Sequence, residues 1–237
     1  MILTIRDNNL SIKERAADMD TLRDAWNRDY SVRGRRWAGL SERLPPVSGS
    51  DRVLEVGCGD GKTLVALAGT GRSPPGNDGE GPEIVGLDFS MAALRLCSHA
   101  AGGYANITLV CADGSSLPFA DSSFDTVLLI HVLGHALYPS RVLICQEAGR
   151  VVRTKGLIII RVFSANDFRA GKGEEIEERT YLRGDGTFTH YFHKDEISSF
   201  NPLLSVLSIE TCSWNLKIRG TTYPREEFHA ILRKDNS

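Results

Sequence analysis

Apolar and polar positions follow two rhythms along the chain. Ile12, Ala16, Met19, Leu22, Trp26 and Tyr30 recur at steps of three and four, the period of one helix face. Ser11 and Glu14 open this run in capping-box spacing, where hydroxyl and carboxylate can satisfy two helix-end N–H groups. A second, shorter helical stretch over 35–44 stops at Pro45-Pro46. From Arg52 the pattern switches to short apolar runs separated by helical ones. Strands are predicted at Arg52–Val56, Glu83–Leu87, Ile107–Cys111, Phe124–Ile130 and Gly156–Phe163. Helices are predicted at Lys62–Ala68, Met91–Ala101 and Arg141–Val152. This alternation implies βαβ units and an α/β fold whose parallel sheet is covered on both faces.

After Phe163 the rhythm breaks. Residues 164–186 carry Glu174, Glu175, Glu177 and Glu178 among glycines and read as a mobile polar insertion. Thr187–Phe192, a short helix from about Lys194, and strands at Leu203–Thr211 and Phe228–Arg233 complete the chain. The last two are expected to form an antiparallel edge hairpin, with Cys212–Glu227 as its connection. Gly69–Pro82 consists almost wholly of turn formers and reads as a surface loop. No clean linker interrupts the chain. One globular domain is expected over 46–237, preceded by an N-terminal helical lid over 1–45.

Composition narrows the class. The 237 residues are 41% hydrophobic and 24% charged with a net charge of −2, an ordinary globular balance without an overall basic field. No apolar run approaches the roughly 20 residues needed to span a bilayer, and the N-terminus lacks the basic and apolar regions of a signal peptide. The five cysteines are dispersed, with no C-x-x-C pair. That usage fits a reducing cytoplasm and opposes a disulfide framework or zinc cage.

The chemistry concentrates at Val53-Leu54-Glu55-Val56-Gly57-Cys58-Gly59-Asp60-Gly61-Lys62-Thr63, a buried strand running through three alternate glycines into a helix. Such a loop lets a ligand approach bare backbone, beside the N–H groups of a helix start. Two nucleotide readings fail by one residue. A phosphate loop needs glycine where Val56 stands, and a dinucleotide fingerprint needs glycine where Lys62 stands.

Glu55-x-Gly57-x-Gly59-x-Gly61 instead resembles the first motif of class I S-adenosylmethionine-dependent methyltransferases. Three further stretches in order extend the resemblance over about 52–162. They are Gly86-Leu87-Asp88-Phe89-Ser90, Ala112-Asp113-Gly114 through Leu117-Pro118-Phe119 to Phe124-Asp125, and Glu147-x-x-Arg150 through Lys155-Gly156. The resemblance implies a Rossmann-like seven-stranded sheet of order 3-2-1-4-5-7-6 with the last strand antiparallel, and S-adenosylmethionine as cofactor. Its implied cofactor contacts are Glu55, Gly57, Cys58, Gly59, Asp60, Gly61, Asp88, Phe89, Ser90, Asp113, Gly114 and His131. Among these, Glu55 would orient the ammonium, Asp88 the ribose and Asp113 the adenine. The Asn/Asp-Pro-Pro-Tyr/Phe signature of many amino-group methyltransferases is absent after the fourth strand, where His131 through His135 stand. That disfavours exocyclic base amines as acceptors.

On the acceptor side, His135 is a candidate base. Tyr191 and His193 are catalytic candidates because Thr189 through His193 resembles part of the "R-Y-Y-H-x-F" region of tRNA wobble-uridine carboxymethyl methyltransferases. Arg33 and Arg36, among the aromatics of 26–37, are candidates for an anionic substrate. The acceptor expected from these features is modified tRNA or a carboxylate-bearing small molecule. The related tRNA enzymes also imply a small zinc-binding activator along the exposed edge of the third strand. The competing reading is a cofactor-binding protein of the same fold that acts without catalysis.

Overall fold

A computed structural model describes residues 12–34, 45–69, 81–199, 201 and 203–235. The Ser11 capping box, the helical stretch over 35–44, Arg36 and most of the loop over 70–80 lie outside the described residues. Helix α1 (Ile12–Arg33) is followed by β1 (Arg52–Val56), α2 (Lys62–Ala68), β2 (Glu83–Asp88), α3 (Met91–Ala100), β3 (Ile107–Cys111) and β4 (Phe124–Ile130). A 3-10 turn (Val132–His135), α4 (Tyr138–Val151) and β5 (Val152–Phe163) come next. Strands β6 (Glu174–Glu177), β7 (Thr180–Leu182) and β8 (Phe188–His190), α5 (Glu196–Ser199), β9 (Leu204–Ile218) and β10 (Thr221–Lys234) end the chain.

The main sheet has the order β3-β2-β1-β4-β5-β10-β9, with β10 antiparallel to both neighbours. This is the Rossmann-like arrangement that the resemblance implied. Side-chain alternation along β1 divides the core in two. Leu54 and Val56 pack with Ile144, Cys145 and Ala148 of α4 on one face, whereas Val53 packs with Leu64, Leu67 and Cys97 of α2 and α3 on the other. Leu22, Trp26 and Tyr30 of α1 pack against Ala93 of α3 and Phe188 of β8.

Two expectations are corrected. Residues 164–186 are not a structureless loop: β6, β7 and β8 form a separate antiparallel sheet. Glu177 binds it to the main fold. Its carboxylate accepts the Tyr138 N–H at the start of α4 at 3.1 Å and pairs with the buried Arg141 guanidinium at 3.2 Å. Secondly, Cys212–Glu227 is not a loose connection. Strands β9 and β10 pair through it to a tight turn at Arg219 and Gly220, both at positive φ, as a two-residue hairpin turn of the primed type requires. Most of the extra length is exposed, with Arg225 the buried exception, so it carries no regular alternating pattern. Its stability comes from the ladder of main-chain hydrogen bonds.

Because removing one partner strands a buried charge, Glu177→Ala is expected to destabilise the protein by about 3 kcal/mol. Glu177→Gln, which retains an acceptor for the Tyr138 N–H, should cost less. Urea unfolding of the three proteins checks this; equal midpoints would show that the β6–β8 sheet does not depend on the pair.

Candidate functional site: a cleft at the glycine-lined tip of β1

Strand β1 ends in Gly57, Gly59 and Gly61 at φ of 72°, 55° and 82°, a region that side chains other than glycine rarely occupy. Close approach also demands glycine here. A Cβ on Gly57 would lie 2.6 Å from Val132 Cγ2, on Gly59 2.5 Å from the Tyr30 hydroxyl, and on Gly61 2.5 Å from Cys97 Sγ. The loop is thus clasped by the 3-10 turn, α1 and α3 together. Gly57 and Cys58 donate their N–H groups to the Leu87 carbonyl, which ties the loop to β2.

Asp88 closes β2 beside this loop. One carboxylate oxygen accepts the Gly59 N–H at 2.8 Å and the other the Ser90 N–H at 2.9 Å. A carboxylate has about four acceptor sites, so two remain for a ligand's hydroxyls. Asp88 is only 6% exposed, and burial pushes its carboxyl up to about 6. Asp113 holds its own loop by accepting the Ser115 N–H at 2.8 Å.

These groups border a cleft of about 840 Å³, measured to its open mouth. Its inner wall is Val56, Gly57, Leu87, Asp88 and Phe89, with Asp113 and Gly114 beside them. Leu22, Trp26 and Tyr30 of α1 cover one side; His131, Val132, His135, Ser140 and Ile144 line another. The α1 residues and Ser140 belong to the cleft although no motif pointed to them. The helical period of 12–30 marked the α1 face as buried, and the N-terminal lid expected over 1–45 put this helix over the ligand site without naming which side chains line it.

Other expected cofactor contacts stand behind the wall. Glu55 points from the opposite face of β1 to Val56, hydrogen-bonds Thr63, and is raised well above the carboxylate range by burial. Its Oε2 is buried without a hydrogen-bond partner among the described residues. Cys58 and Asp60 are buried, and the Cys58 thiol is raised by its hydrogen bond with Cys97 and then by burial. Ser90 caps α3 through the Ala93 N–H and donates to Asn27 of α1, whose side-chain oxygen also takes the Ala92 N–H. Those bonds fasten α1 over the cleft.

The histidines differ in setting. His131, at φ 61°, stacks on Phe163 with ring centroids 4.5 Å apart, and burial lowers its pKa to about 4. The ring is therefore neutral at neutral pH. His135 meets Trp26 edge-on, with centroids 4.8 Å apart, and its Nδ1 lies 2.8 Å from the Phe188 carbonyl oxygen. A contact to a carbonyl needs the proton on Nδ1, which leaves Nε2 as the acceptor nitrogen of the neutral ring.

Tyr191 and His193 do not line this cleft. Tyr191 is buried, with its hydroxyl accepting an Arg183 N–H at 2.6 Å; the His193 side chain is exposed. Arg33 pairs with the buried Asp29 and with Asp185 and does not line the cleft. The remaining motif pair is architectural. Glu147 accepts the Leu117 N–H at 2.7 Å, while Arg150 donates to Glu147, Asp121 and two loop carbonyls, holding the turn before β4. The glycine cradle and the two spare acceptor sites of Asp88 fit the amino-acid and ribose parts of S-adenosylmethionine.

Fold and glycine-lined cleft are similar to those of class I S-adenosylmethionine-dependent methyltransferases. A family model described as "Methyltransferase domain" matches residues 54–160. The chain is similar to tRNA N(3)-cytidine methyltransferase METTL2 of Gallus gallus, 32% identical over 164 residues, covering 66% of this chain and 43% of the relative. It thus spans less than half the length of that relative. In fold it is similar to a SAM-dependent methyltransferase from Methanosarcina mazei, with TM-score 0.66, 23% identity, and coverage of 81% of this chain and 95% of that one. A putative methyltransferase solved in complex with the Haloferax volcanii Trm112 activator matches with TM-score 0.61 and 16% identity, covering 93% and 95%.

Proposed function

We propose that the chain is an S-adenosylmethionine-dependent methyltransferase whose acceptor lies in tRNA. The observation that carries the reading is the pairing of bare backbone at Gly57 with the buried Asp88 carboxylate on one cleft wall. When bound, the cofactor supplies a sulfonium methyl electrophile. The protein's part is to hold, orient and desolvate. Gly57 and Gly59 give backbone access, Asp88 holds the ribose, and Asp113 with Phe89 borders the adenine. Leu22, Trp26 and Tyr30 exclude water as the lid over 1–45. Glu55 acts from behind the loop on its orientation. His135, at the mouth, is the candidate to take a proton from the acceptor.

The similarity to a tRNA N(3)-cytidine enzyme supports tRNA over a free small molecule. A ring-nitrogen acceptor also agrees with the missing amino-group signature after β4. We further propose that a small activator adds to β3. That strand is the sheet edge, beside an open groove lined by Ala101, Tyr104, Ile107 and Leu109. The solved activator complex of a similarly folded chain supports it. Among the described residues no disulfide joins the five cysteines, in keeping with a reducing cytoplasm, and no helix is long and apolar enough to cross a membrane.

The test is incubation with methyl-labelled cofactor and unfractionated tRNA, with and without a Trm112-type activator, followed by digestion to nucleosides. Label in a nucleoside is expected. Binding of S-adenosylhomocysteine without any transfer would favour the non-catalytic reading, and absence of that binding would sink both.

A further inference from the structure

Next to the cofactor cleft, on the far side of its His131 wall, three guanidinium groups gather around the Tyr191 hydroxyl with one carboxylate among them. The Phe163 ring joins the two regions: it stacks with His131 and carries Arg225 Cζ 4.4 Å from its centroid. Arg225 is 5% exposed and donates through Nε to Asp167, whereas its Nη2 is buried with no hydrogen-bond partner among the described residues. Arg183 gives one N–H to Tyr191 and one to Thr189 at 3.2 Å, and among the described residues pairs with no carboxylate. Arg169 is half-buried, lies over the Phe168 ring and likewise has no ion pair among the described residues. Burial, followed by the charges of Arg225 and Arg183, holds Arg169 below its ordinary range.

Asp167 cannot balance this charge alone. Its oxygens already receive Arg225 Nε and the Arg169 and Glu226 N–H groups. A buried guanidinium N–H without an acceptor, beside two more cations, is a site that an anion completes. The rim shows which anion. Lys172 Nζ sits 4.4 Å from the Phe168 centroid and 5.8 Å from that of Tyr223, and those two rings stack at 4.8 Å. Cations interleaved with aromatic faces suit a nucleic-acid backbone and its bases better than a lone carboxylate.

We propose that Arg169, Arg183 and Arg225 form a phosphate pocket that seats the backbone of the acceptor RNA while the reacting nucleotide enters the cleft beyond Phe163. The proposal rests on the methyltransferase reading and adds the contact by which an RNA acceptor is held.

The whole chain and its variants are titrated with unfractionated tRNA at several salt concentrations, and separately with inorganic phosphate and with S-adenosylhomocysteine by calorimetry. Arg169→Ala is the main variant because that side chain holds no ion pair. Lys172→Ala, exposed on the rim, is the second. Arg169→Ala should weaken tRNA binding about tenfold and lower the slope of log affinity against log salt by about 1. Lys172→Ala should cause a smaller loss in the same direction, and S-adenosylhomocysteine affinity should not change in either. Unchanged tRNA affinity and salt slope in both variants would overturn the pocket. So would unchanged tRNA affinity with weakened binding of inorganic phosphate, which would move the site to a small-molecule acceptor. A wild-type chain that binds tRNA but not S-adenosylhomocysteine would instead refute the methyltransferase reading, leaving the variants to judge the pocket by tRNA alone.

Discussion

Asp88→Ala is expected to bind S-adenosylhomocysteine at least about a hundredfold more weakly than the unaltered protein, with its fold intact. The carboxylate offers two charge-assisted hydrogen bonds to the ribose hydroxyls, each contributing about 1.5–3 kcal/mol. The alanine offers none. Folding survives because the change also removes a costly burial. Asp88 titrates at about 6 in place of 3.8, so at neutral pH its desolvation costs about 3 kcal/mol. The folded protein holds this proton where the unfolded chain has released it, so Asp88's contribution to stability is largest below pH 4 and is lost as pH rises through 6.

His131 runs the other way. Its pKa falls from 6.5 to about 4 on folding, so its contribution is present above pH 6.5 and is lost as pH falls through 4. In the unaltered protein the two trends oppose each other between pH 4 and 6. Asp88→Asn leaves His131 uncompensated. Its stability should therefore drop by about 2 kcal/mol more than the unaltered protein's between pH 7 and pH 4.5. Calorimetry with the ligand and thermal melts at the two pH values measure both effects. Near-normal affinity in Asp88→Ala would remove this carboxylate from the cofactor site.

Gly57→Ala is expected to destabilise the fold by about 2–5 kcal/mol and to disable the cleft. Holding alanine at φ 72° costs about 1–2 kcal/mol. Its methyl would also lie 2.6 and 2.8 Å from Val132 side-chain carbons, and overpacking of this kind costs about 1–3 kcal/mol. Val132 is β-branched and has little rotamer freedom with which to yield. Because Val132 and Gly57 both line the cleft, displacing either changes its wall. Gly49→Ala is the control, since a Cβ there meets nothing within 4 Å. Equal urea midpoints for the two variants would show that the tip of β1 tolerates a side chain.

Much of the sheet was legible because its strands are apolar on both faces. Arg52–Val56, Ile107–Cys111 and Phe124–Ile130 have the bounds that their apolar runs mark. Helix α4 begins three residues before Arg141, with Pro139 in its first turn, where a missing N–H costs nothing. The glutamate-rich β6 and the outer hairpin were not legible. Their residues gain stability from partners 3 to 15 positions away or from a distant Arg141, and a largely exposed strand has no periodic signature.

The motifs placed Asp88, Asp113 and the glycines, but spacing along a chain does not say which side of a strand a residue takes. Glu55 and Val56 are neighbours in sequence, and strand alternation turns one toward α2 and the other into the cleft. By itself the sequence determined a doubly covered parallel sheet with a glycine-lined ligand turn at the tip of its first strand, because glycine placement and apolar runs act locally. Only the tertiary structure decided that the expected N-terminal lid meets the cleft through Leu22, Trp26 and Tyr30, and that Tyr191 meets arginines from three separate segments. Those contacts join residues far apart in the chain, and the burial that makes them strong exists only once the layers have packed.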